Sequence, residues 1–204
     1  MKKSNKSKQK ETVDIEPQLI EIMDTLEELY LRNLLFFREN YPKVYKKLEK
    51  LHIQLESGAI DPQYRIELNS STDALDLHDI ENDKFIYDED IYEYAQNKLD
   101  KCEFKKSKQI VFIGSLLGTH IGLISKEKKC KNIMVFEENY EIFRLSLFVT
   151  DYKSMTKKAK LSFSIGNTLD DKKTQKRFSK FKENSQNDED TQVVIATTHQ
   201  ENGD

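Results

Sequence analysis

QIVFIGSLLGTHIGLISKEKKCKNIMVFEENYEIFRLSLFVTDY, residues 109–152, is the stretch that decides the fold. Gln109 to Gly114 is a short run rich in β-branched and aromatic residues, a helical period fits Leu117 to Ser125, and Asn132 to Glu137 is a second such run. Tyr140 to Val149 reads as another amphipathic helix, and Leu161, Phe163 and Ile165 mark a third strand. Strands that are apolar on both faces and alternate with helices build a parallel sheet with right-handed crossovers. Residues 105–168 are therefore expected to form the βαβαβ half of a Rossmann-like fold. The 17 uncharged residues from Gln109 to Ser125 contain three glycines and His120. They fall short of the ~20 apolar residues a spanning helix requires and read better as a buried strand turning into a helix.

Upstream the period is helical. Leu19, Ile20, Met23, Leu26, Leu29, Tyr30, Leu34 and Phe37 follow Pro17, which suits a first helical turn. Pro42 disfavours helical geometry at Tyr41, so this helix should end near Asn40, and a shorter one should carry Val44, Tyr45, Leu48 and Leu51. The broad apolar run Leu34 to Phe37 is expected to pack on two sides. After Gly58 and Pro62, alternation at Tyr64, Ile66 and Leu68 and the turn signal Asn82-Asp83 predict two or three antiparallel strands. Asp90 is placed to cap a helix over Ile91 to Lys101. The expected class is α/β: an N-terminal helical pair over residues 15–60, small antiparallel strands and a helix over 61–104, and then the partial Rossmann-like parallel sheet. Residues 1–14 read as a disordered Lys-rich arm, and 169–204 as a polar, poorly ordered tail with one candidate strand at Gln192 to Ala196.

Composition narrows the function classes. Of the 204 residues, 34% are charged and 37% hydrophobic. Counting the six Gly instead of the nine Tyr leaves roughly 35% apolar, below the usual ~45–50%. Membrane, collagen-like and disulfide-scaffold classes are excluded, and a net charge of −3 argues against a strongly basic nucleic-acid binder. The charge is uneven: Glu67 to Glu103 has twelve acids against three lysines, whereas Lys105 to Asn132 has seven lysines against one acid. The acidic block lacks the oxygen-ligand spacing of a calcium loop and reads as solvated surface. Cys102 and Cys130 lie too far apart for a CxxC pair, so reduced thiols and a cytoplasmic address are expected, with no metal, nucleic-acid or membrane partner.

The turn after the first parallel strand is the one local candidate for a site. Glycines there allow close backbone approach, the next helix N-terminus attracts anions, and an acid at the end of the following strand can accept from ribose hydroxyls. Gly114, Gly118 and Glu137 occupy these positions and are the candidate cofactor-binding residues. Against this, a G-x-G-x-x-G reading puts Leu116 where the second glycine belongs, its side chain in the ligand's space. The alternative is that the glycines serve tight turning and helix packing, with no cofactor. No nucleophile elbow, phosphate loop or zincin motif occurs, and His52, His78, His120 and His199 are scattered, so no catalytic residue is assigned.

Residues 110–152 resemble the N-terminal domain of the motility accessory factor (Maf) family of bacterial flagellin glycosyltransferases. The likeness rests on Gly114, Gly118, His120, Glu137, Asn139, Phe143, Ser146, Leu147, Phe148, Asp151 and Tyr152. RNLLFFRENYPKVYKKLEKL, from Arg32, is similar to that family's helical opening, and KFIYDEDIYEYAQNKL, from Lys84, to its strand and helix before the glycine turn. The pattern covers roughly residues 25–168; Leu116 departs from it by replacing a glycine common at the turn. The resemblance implies an accessory, non-catalytic part of an enzyme that attaches nonulosonic sugars from a CMP-activated donor to flagellin Ser or Thr. It also implies truncation before the catalytic domain, with flagellin and that catalytic region as partners and self-association open. The rival readings are a degenerate Rossmann protein binding S-adenosylmethionine or a nucleotide, and an acidic protein-interaction module.

Overall fold

The computed structural model describes residues 15–87, 89–104, 109–183 and 191–196, with side chains from residue 21 onward. The basic arm and the residues after Ala196 lie outside this set. Helix α1 (Ile15–Asn40) stops two residues before Pro42, and Tyr41 leaves helical geometry with φ −136° and ψ 59° before α2 (Pro42–Glu56) begins. A three-stranded antiparallel sheet follows: β1 (Tyr64–Asn69), β2 (Ala74–Asp79) and β3 (Lys84–Phe85). Asp90 caps α3 (Ile91–Asp100), its carboxylate accepting from the amides of Tyr92 and Glu93.

The second sheet is parallel throughout. Strands β4 (Gln109–Ile113), β5 (Asn132–Glu137), β6 (Lys160–Ile165) and β7 (Thr191–Ile195) lie in the order β6-β5-β4-β7. The first strand in the chain thus has the later two stepping away on one side and the fourth added on the other. Doubly wound sheets reverse direction in this way, and their crevice opens at the strands' C-terminal ends where the order reverses. Between the strands run α4 (Thr119–Glu127), α5 (Tyr140–Val149), the single turn α6 (Tyr152–Met155) and α7 (Lys172–Glu183). Helix α4 starts two residues later than its periodicity suggests, because Leu116 and Gly118 take left-handed backbone with φ 43° and 80°.

Register assigns the faces. Ile110, Phe112, Ile133, Val135, Leu161, Phe163 and Val194 share one face and join Phe37, Leu48, Phe143, Leu147 and Tyr152 in the main core. Helix α1 is anchored to α5 by Asn33, whose fully buried Nδ2 donates to the carbonyls of Leu147 and Thr150 at 2.8 Å each. Of the run expected to pack on two sides, Phe36 and Phe37 are buried while Leu35 stays about half exposed, so the core takes one broad side of the helix. The opposite sheet face holds Val111 and Met134 under Phe178 and Phe181 of α7. A helix over residues 172–183 stands where only a polar tail was expected, and the candidate strand of that tail pairs with β4. Thr174, Phe178 and Phe181 lie at spacings of four and three, which puts them on one helical face amid lysines.

The acidic block is not all solvated surface. Asp76 is fully buried in β2, and its carboxylate accepts from Tyr87 N at 3.1 Å and Asn69 Nδ2 at 3.1 Å. His78 is buried between Glu67 and Asp83, at 2.9 and 3.1 Å. The Asp76 bonds tie β2 to the segment after β3, and Leu77, Ile86 and Tyr87 form one apolar surface that packs on the end of the parallel sheet.

Candidate functional site

Gly114 and Gly118 bracket the turn leaving β4, both at positive φ, 88° and 80°, a region that glycine enters without steric cost. Gly114 N donates to Phe136 O at 2.9 Å and Gly118 N to Ser115 O at 2.7 Å. What Gly118 approaches is protein: a Cβ there would lie 2.5 Å from Thr150 Oγ1 and 3.1 Å from the Tyr152 hydroxyl. Thr150 Oγ1 in turn donates to Leu117 O at 2.9 Å, tying the turn to the end of α5.

Glu137 ends β5 directly beside this turn and is only 6% exposed. One carboxylate oxygen accepts from both Ser115 N (2.7 Å) and Ser115 Oγ (3.0 Å); the other accepts from Asn139 N at 2.9 Å. Burial raises its pKa, and these three bonds pull it back. The acid position is thus turned inward, clasping its own glycine turn. Asn139 completes the junction by capping α5, its side chain accepting from the amides of Glu141 and Ile142. Glu141, raised by burial, accepts from Gln63 N and Tyr64 N at 2.9 and 3.0 Å and so joins the first turn of α5 to the start of β1.

Leu116 does not project into open ligand space. It is 2% exposed and packs with Leu77, Ile86, Tyr87, Ile91, Ile142 and Ala196. Ala196 follows β7 and Leu116 follows β4, so this cluster sits where the strand order reverses. The β1–β3 sheet and α3 thus fill the crevice that a dinucleotide occupies in doubly wound folds. The amide of Leu117 is taken as well, donating to the Tyr87 hydroxyl at 2.7 Å. What remains open beside Gly114 and Glu137 is a recess of about 270 Å³ bounded by Tyr64, Glu138, Asn139 and Leu169. That is smaller than the ~300–1,000 Å³ of typical ligand pockets.

Tyr87, Thr150 and Tyr152 were not legible as parts of this site. They come from a short strand's end and from beyond α5, and no spacing links them to the turn. His120, the second residue of α4, is fully buried, edge-on to the rings of Tyr94 and Phe112 at 6.1 and 5.7 Å, and neither ring nitrogen has a hydrogen-bond partner among the described residues. Burial, reinforced by the Lys98 charge and only partly opposed by the Gly114 backbone, pushes it down to about 3, so the ring is neutral. Cys102 and Cys130 are free thiols, and no group of three or more His, Cys, Asp or Glu among the described residues could hold a metal. No helix among the described residues is long and apolar enough to cross a membrane.

Replacing Tyr87 by Phe tests whether the filled crevice is structural. The variant keeps the ring but removes the acceptor of a buried amide, and is expected to lose about 1–3 kcal/mol of stability. Urea unfolding should show a lower midpoint with an unchanged slope.

Residues 89–168 match the family described as glycosyltransferase Maf N-terminal domain. This supports the resemblance seen in the sequence and takes in α3, β4, the glycine turn, β5, α5 and β6. Helices α1 and α2 and the antiparallel sheet lie before the match, and α7 and β7 lie after it. No curated protein matches the chain.

Proposed function

We propose that this chain works as a non-catalytic accessory domain of a Maf-type flagellin glycosyltransferase, acting in the cytoplasm in flagellin glycosylation and hence motility. The observation that carries the reading is the closed crevice: the position where a Rossmann-like sheet would bind a nucleotide is filled by Leu116, Tyr87 and Ala196. With Glu137 spent on Ser115 and Asn139, the glycine turn serves packing. The match over residues 89–168 supplies the glycosyltransferase association. In this reading the domain contributes a docking or assembly surface for flagellin and for the family's catalytic region.

The test is a transfer assay read by intact mass of flagellin. Incubated with a CMP-activated nonulosonic donor and flagellin, the chain alone should add no mass, while flagellin should be retained on the immobilised chain. Unaided transfer, or failure to retain flagellin, overturns the reading. The rival of an S-adenosylmethionine-binding protein predicts saturable heat in calorimetry with that cofactor; none is expected at millimolar ligand.

A further inference from the structure

Strand β6 forms one edge of the parallel sheet, and a cleft of about 500 Å³ wraps around its N-terminal half. The cleft lies at the end of the sheet opposite the glycine turn, between the α1–α2 junction, the starts of β5 and β6, and α7. Four cations line it, Lys43, Lys160, Arg177 and Lys180, and no Asp or Glu does. Lys43, Lys160 and Arg177 make no ion pair among the described residues, and all three are exposed. Like charges gathered around one concavity repel one another, and an anion in their midst relieves that repulsion.

The strand edge adds to this donor excess. Lys160 N bonds to Lys131 O and Gly166 N to Glu137 O, so the even-numbered amides of β6 face β5. Side alternation along a strand then turns the peptide groups of Leu161 and Phe163 to the open edge. Their carbonyls are already engaged: the Tyr41 hydroxyl donates to Leu161 O at 2.8 Å, and Arg177 Nη1 reaches Phe163 O at 3.5 Å and Ser164 Oγ at 3.4 Å. With Leu161 O taken by the Tyr41 hydroxyl and Phe163 O only weakly met by Arg177, the edge offers the cleft more donors than acceptors. The two Arg177 contacts are long and use one terminal nitrogen, so most of its five donors stay available. The rest of the wall is apolar and aromatic, with Met134, Phe163 and Phe181 buried in its floor.

We propose that this cleft binds a phosphorylated small molecule, its dianionic phosphate held by Arg177, Lys160 and Lys43 and its apolar or flat body laid against Phe181 and Met134. A planar guanidinium beside ammonium groups suits a phosphate with several acceptor oxygens, and the volume suits a ligand larger than the free ion. The site is independent of the crevice at the glycine turn and of any role in sugar transfer.

Calorimetry on the full chain at physiological salt tests this, with phenyl phosphate and inorganic phosphate as the probes. Phenyl phosphate should bind saturably and more tightly than inorganic phosphate. Arg177→Gln and Lys160→Gln, both exposed substitutions, should each weaken it about tenfold, whereas Lys126→Gln, a cation outside the cleft, should leave it unchanged. Arg177→Lys should retain part of the affinity. Absence of saturable binding overturns the proposal, as does equal weakening by Lys126→Gln, which would mark diffuse attraction to surface charge.

Discussion

A Phe37→Ala variant is expected to lose about 3–5 kcal/mol of stability, enough to unfold much of a domain whose total is of the order of 5–15 kcal/mol. Phe37 has no exposed surface, and its ring centroid lies 4.9 Å from Phe163, 5.5 Å from Phe143 and 6.1 Å from Tyr152. Those three rings belong to β6, α5 and α6, so a single α1 side chain bridges the helical pair to the parallel sheet. Truncation removes the burial and leaves a cavity among rings that neighbouring backbone holds in place. By contrast, the Arg32–Asp151 pair between the same elements, at 2.9 Å but with side chains 45% and 31% exposed, should contribute under ~1 kcal/mol. The comparison is made by urea denaturation of Phe37→Ala, Phe37→Leu and Arg32→Ala. The expected order of loss is Ala at 37, then Leu at 37, then Ala at 32; a midpoint for Phe37→Ala close to wild type would mean that α1 is not an integral part of the core.

The order of strands and helices from Gln109 to Ile165 was legible because each strand is apolar on both faces and each connection is a short amphipathic helix. Helix α7 was not. Its mean composition is that of a solvated tail, and only Thr174, Phe178 and Phe181 betray the face that covers Val111 and Met134. Strand β7 was visible as Gln192 to Ala196, but its parallel pairing with β4 depends on a crossover whose packing residues are those same three. The site shows the same division. Sequence placed Gly114, Gly118 and Glu137 together at one turn, as the fold does, because strand ends in a parallel sheet are set by local pattern. What fills the space above them is a long-range matter. Tyr87 meets Leu117 across 30 residues, and Thr150 meets it across 33, contacts that carry no periodic trace. Leu116 was expected to obstruct a ligand and instead turns, through its positive φ, into a core supplied by the antiparallel sheet.

Acidification should weaken the fold through His120. Its ring is fully buried, and burial with the nearby Lys98 charge pushes its pKa from an ordinary 6.5 to about 3. The unfolded chain takes up a proton below about pH 6.5 that the folded chain refuses until about pH 3, so this group's contribution to stability is lost as pH falls through that window. At 1.36 kcal/mol per unit of difference, the loss reaches about 2–3 kcal/mol by roughly pH 4.5. Glu137 and Glu141 act in the opposite sense. Burial raises both, so their contribution is present below the ordinary glutamate range and fades as pH rises through their folded values. The wild-type profile is the difference of these effects, and the informative measurement is the change made by one substitution. His120→Leu keeps an apolar side chain against Tyr94 and Phe112 and removes two ring nitrogens that lack partners. Urea unfolding of both proteins at pH 7 and pH 4.5 should show the variant losing about 2–3 kcal/mol less than wild type on acidification, with little penalty at pH 7. Parallel profiles would mean that the imidazole ionises within the folded chain near its ordinary value, the Gly114 backbone beside it then outweighing burial and the Lys98 charge.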